Sequence, residues 1–174
     1  QVHGIVDEQL EAGDEVLGYP VIGADSDLPE LLRATPAFVV SVGQVRGNSR
    51  RRKIFENALS LGGRPATVVA GSAIVARTAR IGAGSVVMHQ VVLNSNARVG
   101  VNCIVNTRAL LEHDSCLGDH STLSTGVIVN GQVNLGGQVF VGTGATIFQS
   151  VEVPDHAVVR GGSVIRKNVD AGQF

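Results

Sequence analysis

From Val69 to Ile165 every sixth residue is Val, Ile or Leu, an unbroken run of seventeen positions. Four residues after each aliphatic runs a second register, from Ala73 to Ser163, filled only by Ala, Ser, Cys or Val. A period of six is neither the 3.6 of a helix nor the two of a lone strand. It fits a solenoid in which each hexad makes one flat face. A large aliphatic points inward, a small residue takes the tighter corner, and Gly or Asn stands at turns that need a positive φ. Three faces close a coil of eighteen residues, so each residue stacks on the one eighteen later at roughly 4.8 Å. Such a ladder has no room for rings. The chain accordingly has five Phe, one Tyr and no Trp in 174 residues. Cys103 falls in the small-corner register and reads as a buried, inert thiol.

Residues 1–65 follow a different pattern, which divides the chain into two expected domains, 1–65 and 66–174. His3 to Val6 and Pro20 to Ile22 read as strands, and Ser26 to Arg33 as a helix capped by Asp25 or Ser26. Ala37 to Val42 is a continuous apolar strand running into Gly43. From Asn48 an amphipathic helix carries Ile54, Ala58 and Leu61 at helical spacing and stops at Gly62-Gly63. Alternating strands and helices imply a small parallel sheet covered by helices. Ligands of such sheets collect at the carboxyl ends of strands, here Asp7-Glu8 and Gly43. The chain begins at Gln1 with no initiator Met, so the start of the natural protein is expected to lie upstream.

Charge excludes several partners. Lys plus Arg number 14 against 15 Asp plus Glu, for a net charge of -1. No basic surface is on offer to a nucleic acid, and no polybasic cluster to an anionic membrane. The run Arg50 to Lys53 has no aromatic companions and reads as a solvated helix face. No apolar stretch approaches the roughly eighteen residues of a membrane span, and no signal-peptide pattern is read in the opening residues. Two cysteines without metal-type spacing suit a reducing, cytoplasmic setting.

The hexad places every histidine on the coil. None of His3, His89, His113, His120 and His156 lies eighteen from another, so no metal site is expected within one chain. Only His113 is flanked by acids on both sides, as Glu112-His113-Asp114. A carboxylate beside an imidazole fixes its tautomer and raises its basicity, which suits proton removal from an attacking amine or hydroxyl. A surface histidine in a charged loop remains the alternative. One coil beyond His113 stands Gly131, whose backbone N–H is placed to serve an oxyanion. No Ser or Cys nucleophile pairs with His113, which favours direct attack over an acyl-enzyme.

The strand–helix segment with Asp7-Glu8 and Gly43, followed by hexads containing Leu110-Leu111-Glu112-His113-Asp114-Ser115-Cys116-Leu117-Gly118-Asp119-His120, resembles the sialic-acid O-acetyltransferase-type sugar acyltransferases. The likeness is nearest to their UDP-4-amino-sugar N-acetyltransferases of bacillosamine synthesis, and it covers nearly the whole chain. It implies a left-handed parallel β-helix preceded by a small α/β, Rossmann-like domain that is incomplete at its N-terminus. It implies an acetyl-CoA-dependent homotrimer that acylates an amine or hydroxyl of a nucleotide-linked sugar. His113 is then the general base, Asp114 its acid partner and Gly131 the oxyanion donor. Thr122, Thr143 and Gly161 fall at acetyl-CoA positions; Asp7, Glu8, Gly43 and Asn106 fall at sugar-nucleotide positions. Thr122 stands where the family usually has a second histidine. The Gly-rich phosphate-cradling opening and the Gly-x-Pro-Ala tail of the family are not in the sequence, which ends at Phe174. Weaker nucleotide-sugar binding than in an intact relative is expected. The competing expectations are another hexapeptide O-acetyltransferase, of the serine or maltose type, and a non-catalytic solenoid.

Overall fold

The structure, a computed structural model, describes residues 2–43 and 49–170. Gln1, Asn48 and Phe174 lie outside the described residues. The chain forms two compact units, Gln1–Phe38 with Glu56–Arg64, and Val39–Phe55 with Pro65–Phe174.

In the first unit, β1 (Ile5–Val6), β2 (Glu15–Val16) and β3 (Tyr19–Gly23) form one sheet in the order β1-β3-β2. β1 runs parallel to β3, but β2 is antiparallel to it, so the wholly parallel sheet expected from the sequence is corrected to a mixed one. The cause is the two-residue turn Leu17-Gly18, with φ of 52° and 80°. Two positive φ values match the strand twist and fold the chain straight back as a hairpin. Asp25–Asp27 is a single 3-10 turn, and α1 (Leu28–Ala34) starts later than expected because Asp27 is its N-cap. Leu28 and Leu32 of α1 bury with Ala58, and Val6, Phe38 and Leu61 pack on them.

The strand read as Ala37 to Val42 pairs only over β4 (Ala37–Phe38). Beyond it the backbone carbonyls of Val40 and Val42 accept from Arg51 rather than from another strand. Arg51 lies on α2 (Ser49–Ser60).

In the second unit, seventeen two-residue strands from Val68–Val69 to Val164–Ile165 stack in three parallel sheets of six, six and five. Paired residues differ by eighteen, as in Val75, Leu93, Leu111 and Val129. The unit is thus a parallel β-helix. Its inward ladder is buried from Val87 through Val159, whereas Val69 and Val75, with no earlier coil beneath them, are 43% and 38% exposed. Each interior Val or Leu contributes about 1.5–3 kcal/mol by leaving water. The small-corner serines close the coils on each other. Ser115 Oγ donates to Asn130 O at 2.7 Å and accepts from Val133 N–H at 3.0 Å, and Ser85 and Ser121 repeat the pattern.

At the turns the second residue is left-handed, and it is not restricted to Gly or Asn as expected. Gln90, Arg108, Asp114, His120 and His156 all adopt φ between 57° and 64°. Each costs roughly 1–2 kcal/mol of backbone strain, offset by inter-coil bonds such as Asp114 N–H to Ser95 O at 2.9 Å.

The outward rows of the three faces differ. One carries Val68, Val86, Ile104, Thr122, Phe140 and Val158; the next carries Ile74, Val92, Leu110, Ile128, Thr146 and Val164. The third carries Arg80, Arg98, Cys116, Asn134 and Glu152. Two faces are therefore mainly apolar outside and one is polar.

Candidate active site

Residues eighteen apart line up along each corner of the β-helix, and one corner holds His113, Gly131 and Gln149 in three successive coils. It lies between the Leu110 row and the polar face. His113 is the first residue of its turn and Asp114 the second. With φ at 59°, Asp114 turns its carboxylate back onto the ring, and Oδ2 stands 2.9 Å from His113 Nδ1. Both side chains are 48% exposed. Asn96 Nδ2, one coil earlier, donates to the other oxygen at 3.0 Å.

These bonds to His113 and Asn96 hold the Asp114 carboxyl below its usual range. The group is then ionised at neutral pH and can only accept. It follows that in the neutral imidazole Nδ1 carries the proton and Nε2 the lone pair. Nε2 faces Gly131: a Cβ built on Gly131 would lie 2.5 Å from it. Gly131 is required for space, since nothing but a hydrogen fits above the ring. Its N–H donates to no acceptor among the described residues, and the turn that carries it is fastened by the two Ser115 bonds described above.

Glu112 completes the turn. Its Oε2 accepts from His113 N–H and from Asn94 Nδ2, both at 3.0 Å, and the turn is tied to the preceding coil. Around this corner lies a groove of about 560 Å³. Glu112, His113, Asn130 and Gly131 give it polar walls, and Ile128, Thr146, Phe148 and Gln149 continue it along the coil axis. Arg166 caps Phe148, with its guanidinium carbon 4.2 Å from the ring centre. A base with a fixed tautomer, a free backbone donor beside its lone pair and an open groove together suit addition of a nucleophile to a carbonyl.

No protein-family model and no curated protein matches the chain. Solved structures do. A His-to-Ala variant of GDP-perosamine N-acetyltransferase from Caulobacter crescentus, in complex with CoA and GDP-perosamine, superposes with a TM-score of 0.88 at 30% identity, over 95% of this chain and 77% of that one. The acetyltransferase domain of PglB from Neisseria gonorrhoeae superposes with a TM-score of 0.89 at 32% identity, over 97% of this chain and 80% of that one. The same domain has been solved with acetyl coenzyme A. WeeI from Acinetobacter baumannii, at 24% identity and a TM-score of 0.79, shares the fold.

This chain belongs to the hexapeptide-repeat sugar N-acetyltransferases. The acyltransferase fold is the left-handed parallel β-helix with a small strand–helix portion before it, as the sequence implied.

The expected site residues divide into groups. His113, Asp114 and Gly131 meet at one corner. Thr143 and Gly161 stack on each other at a different corner, between the two apolar faces, where Gly162 N–H donates to Thr143 O at 2.8 Å. Thr122 lies on the Val68 row and is 4% exposed. Asn106 is also outside the His113 groove, and its Oδ1 accepts from Thr107 N–H at 2.7 Å. In the first unit, Asp7 and Glu8 end β1. Asp7 Oδ1 accepts from Gln9 N–H at 2.8 Å and Glu8 Oε1 from Asp25 N–H at 2.9 Å. Gly43 is exposed and belongs to the second unit. Sequence reasoning missed Glu112 as a turn tie, Ser115 as the fastener of the Gly131 turn, and the groove row Asn130–Phe148. That row was accessible by counting eighteen from Glu112.

Burial pushes the Cys103 thiol up to about 12 and leaves it unreactive. Among the described residues, no group of three or more His, Cys, Asp or Glu is arranged so that it could hold a metal ion, and no helix is long and apolar enough to cross a membrane.

Proposed function

We propose that the protein transfers the acetyl group of acetyl-CoA to the amine of a nucleotide-linked amino sugar, with His113 as general base. The observation that carries this reading is the placement of His113 Nε2 under Gly131 with Asp114 on Nδ1, at the edge of an open groove. In fold neighbours that share 30–32% identity the bound molecules are CoA with GDP-perosamine, and acetyl coenzyme A. A thioester carbonyl set against Gly131 N–H is attacked by the neutral amine. The oxyanion accepts a hydrogen bond from that N–H, and Nε2 removes the proton from the attacking amine nitrogen. The tetrahedral adduct then breaks its C–S bond, and the His113 imidazolium returns the proton to the departing thiolate. Asp114 holds the tautomer and offsets the transient positive charge.

The acceptor is a UDP- or GDP-type 4-amino sugar, in line with the UDP-4-amino-sugar enzymes that the sequence resembles. A sialic-acid hydroxyl is the alternative acceptor that the same resemblance carries. Residues 1–65 supply the nucleotide contacts through Asp7 and Glu8, joined by Gly43, and Asn106 lines the acceptor pocket. Thr122, Thr143 and Gly161 contact the coenzyme. Since Thr143 and Gly161 occupy a corner other than that of His113, they reach the groove of a neighbouring copy. The working form is a cytoplasmic homotrimer in which the two apolar outward faces are covered and the Arg80–Glu152 face meets solvent.

The purified chain is tested with acetyl-CoA, a panel of UDP- and GDP-amino sugars and free sialic acid, following CoA thiol release. Release that depends on an amino sugar is expected. Release only with sialic acid moves the reading to O-acylation, and no acceptor-dependent release overturns it. Sedimentation equilibrium is expected to give a mass of three chains; a monomer sinks the shared-groove arrangement.

A further inference from the structure

Arg51 is 3% exposed, and no carboxylate among the described residues pairs with it. Nη1 donates to the carbonyls of Val40 and of Val42, the latter at 3.1 Å, and Nε donates to Asn102 O at 3.4 Å. All these residues belong to the β-helix unit. Carbonyls at i and i+2 of an extended segment point the same way, so one planar guanidinium holds both and still reaches the corner of the coil. A lysine, with a single point charge, has no matching fork.

The helical turn carrying Arg51 grips that corner twice. Phe55, four residues on and on the same helix face, is 2% exposed. It meets His120 edge-on with ring centres 5.7 Å apart, and a Cβ on Gly84 would lie 2.5 Å from its ring. Gly84, Asn102 and His120 are the turn residues of three successive coils at one corner. Asn102 is wholly buried and donates through Nδ2 to His120 Nδ1 at 3.0 Å. Arg51 Nη2 and Asn102 Oδ1 are a buried donor and a buried acceptor without a protein partner among the described residues.

Burial lowers the Arg51 pKa, so the arrangement works against the charge. Hydrophobic side chains alone can hold a helix on a solenoid. A buried cation that seizes the carbonyls of Val40 and Val42 instead fixes the course of the segment that leads to Gly43.

We propose that Arg51 is a positioning residue for the acceptor: it pins Val39–Gly43 to the Asn102 corner and so sets where Gly43 is presented to the nucleotide. The proposal rests on the reading of Gly43 as a nucleotide-sugar contact. Arg51 itself touches neither substrate.

The test is steady-state kinetics of the full chain carrying Arg51→Lys and Arg51→Ala, with acceptor and acetyl-CoA varied separately. For Arg51→Lys the acceptor KM is expected to rise about tenfold, the scale of one or two lost neutral hydrogen bonds. The acetyl-CoA KM and kcat stay within about twofold of wild type, a margin of under half a kcal/mol. In Arg51→Ala, added methylguanidinium is expected to restore the acceptor KM. Both KM values rising together, or neither changing, overturns the proposal; if Arg51→Ala does not fold, Arg51→Lys decides alone. Amide exchange across residues 39–43 gives an independent readout, expected to quicken in Arg51→Lys while the strands around Leu111 stay protected. Unchanged exchange there overturns the anchor itself. Failure of the wild type to acetylate any nucleotide sugar sinks the functional reading instead, and leaves the exchange result to judge the anchor.

Discussion

His89 and His113 occupy the same slot on neighbouring corners of the β-helix, each the first residue of a turn and each exposed. What differs is the company. His89 is followed by Gln90, its Nδ1 stands 3.1 Å from the Ser72 hydroxyl, and the position eighteen later is Thr107. His113 is followed by Asp114, has its Nδ1 on that carboxylate, and has Gly131 eighteen later. The repeat supplies the slot many times over. On the proposed reading, chemistry arises where an acid takes the left-handed position and a residue without a Cβ stands one coil on. A base needs both a fixed tautomer and an unobstructed neighbour.

The largest expected effect separates the two histidines directly. His113→Ala is expected to lower kcat by about 10²–10⁴, the range of a lost general base. His89→Ala leaves kcat and both KM values unchanged. Comparable losses at the two sites, measured by thiol release, would show that the shared slot and not the surroundings makes the base.

Gly131→Ala comes next and acts without touching the histidine. Its Cβ would sit 2.5 Å from His113 Nε2, so the ring must rotate off its line. A displacement near 1 Å costs on the order of 10² in rate. The N–H remains and coenzyme binding is expected to persist, so the loss falls on kcat. If Gly131→Ala keeps full activity, the close approach of ring and backbone is not the working geometry.

Asp114→Asn is expected to cost about tenfold to a hundredfold, well short of the ~10⁴ lost where such an acid is fully buried, because this pair is half exposed. The pH dependence has a definite sign. The folded pKa of Asp114 lies below its ordinary 3.8. Its stabilising contribution is therefore complete above that ordinary value, and it is lost as the pH falls through the lower folded value. Urea unfolding of wild type and Asp114→Asn should differ at neutral pH and converge in strong acid. A difference that grows toward acid contradicts the assigned hydrogen bonds.

The two units were legible to different degrees for a physical reason. In the β-helix, position follows from residue number modulo eighteen, so Gly131 over His113 could be computed before any coordinates. What counting cannot supply is side-chain direction. Neither the bond of Glu112 back to the His113 amide nor the Ser115 tie to Asn130 is encoded in a period. In the first unit each element occurs once, and non-local partners decide it. Val39 to Val42 reads as strand, yet beyond Phe38 its carbonyls go to Arg51 instead of a neighbouring strand. The β2–β3 hairpin escaped because its turn places Leu17 at φ 52°, where Asn or Gly is the usual signal.

The smallest expected effect is a constructive one. Gln90→Asp puts a carboxylate in the same left-handed slot beside His89 that Asp114 fills beside His113, and Asp tolerates that conformation better than Gln. It also removes the Arg108 Nε to Gln90 Oε1 bond of 3.0 Å, an exposed contact of little weight. In a His113→Ala background this variant alone is expected to restore no transfer, because Thr107 still stands where a Gly131-like residue is needed. Adding Thr107→Gly supplies the missing space. The double change is then expected to make the His89 imidazole more reactive than that of the His113→Ala parent toward a small acylating reagent, without restoring transfer to sugar. The groove past Asn130 and Phe148 belongs to the other corner. Restored sugar acetylation would mean that any histidine–aspartate turn beside a glycine suffices, and that the groove running past Asn130 and Phe148 contributes nothing.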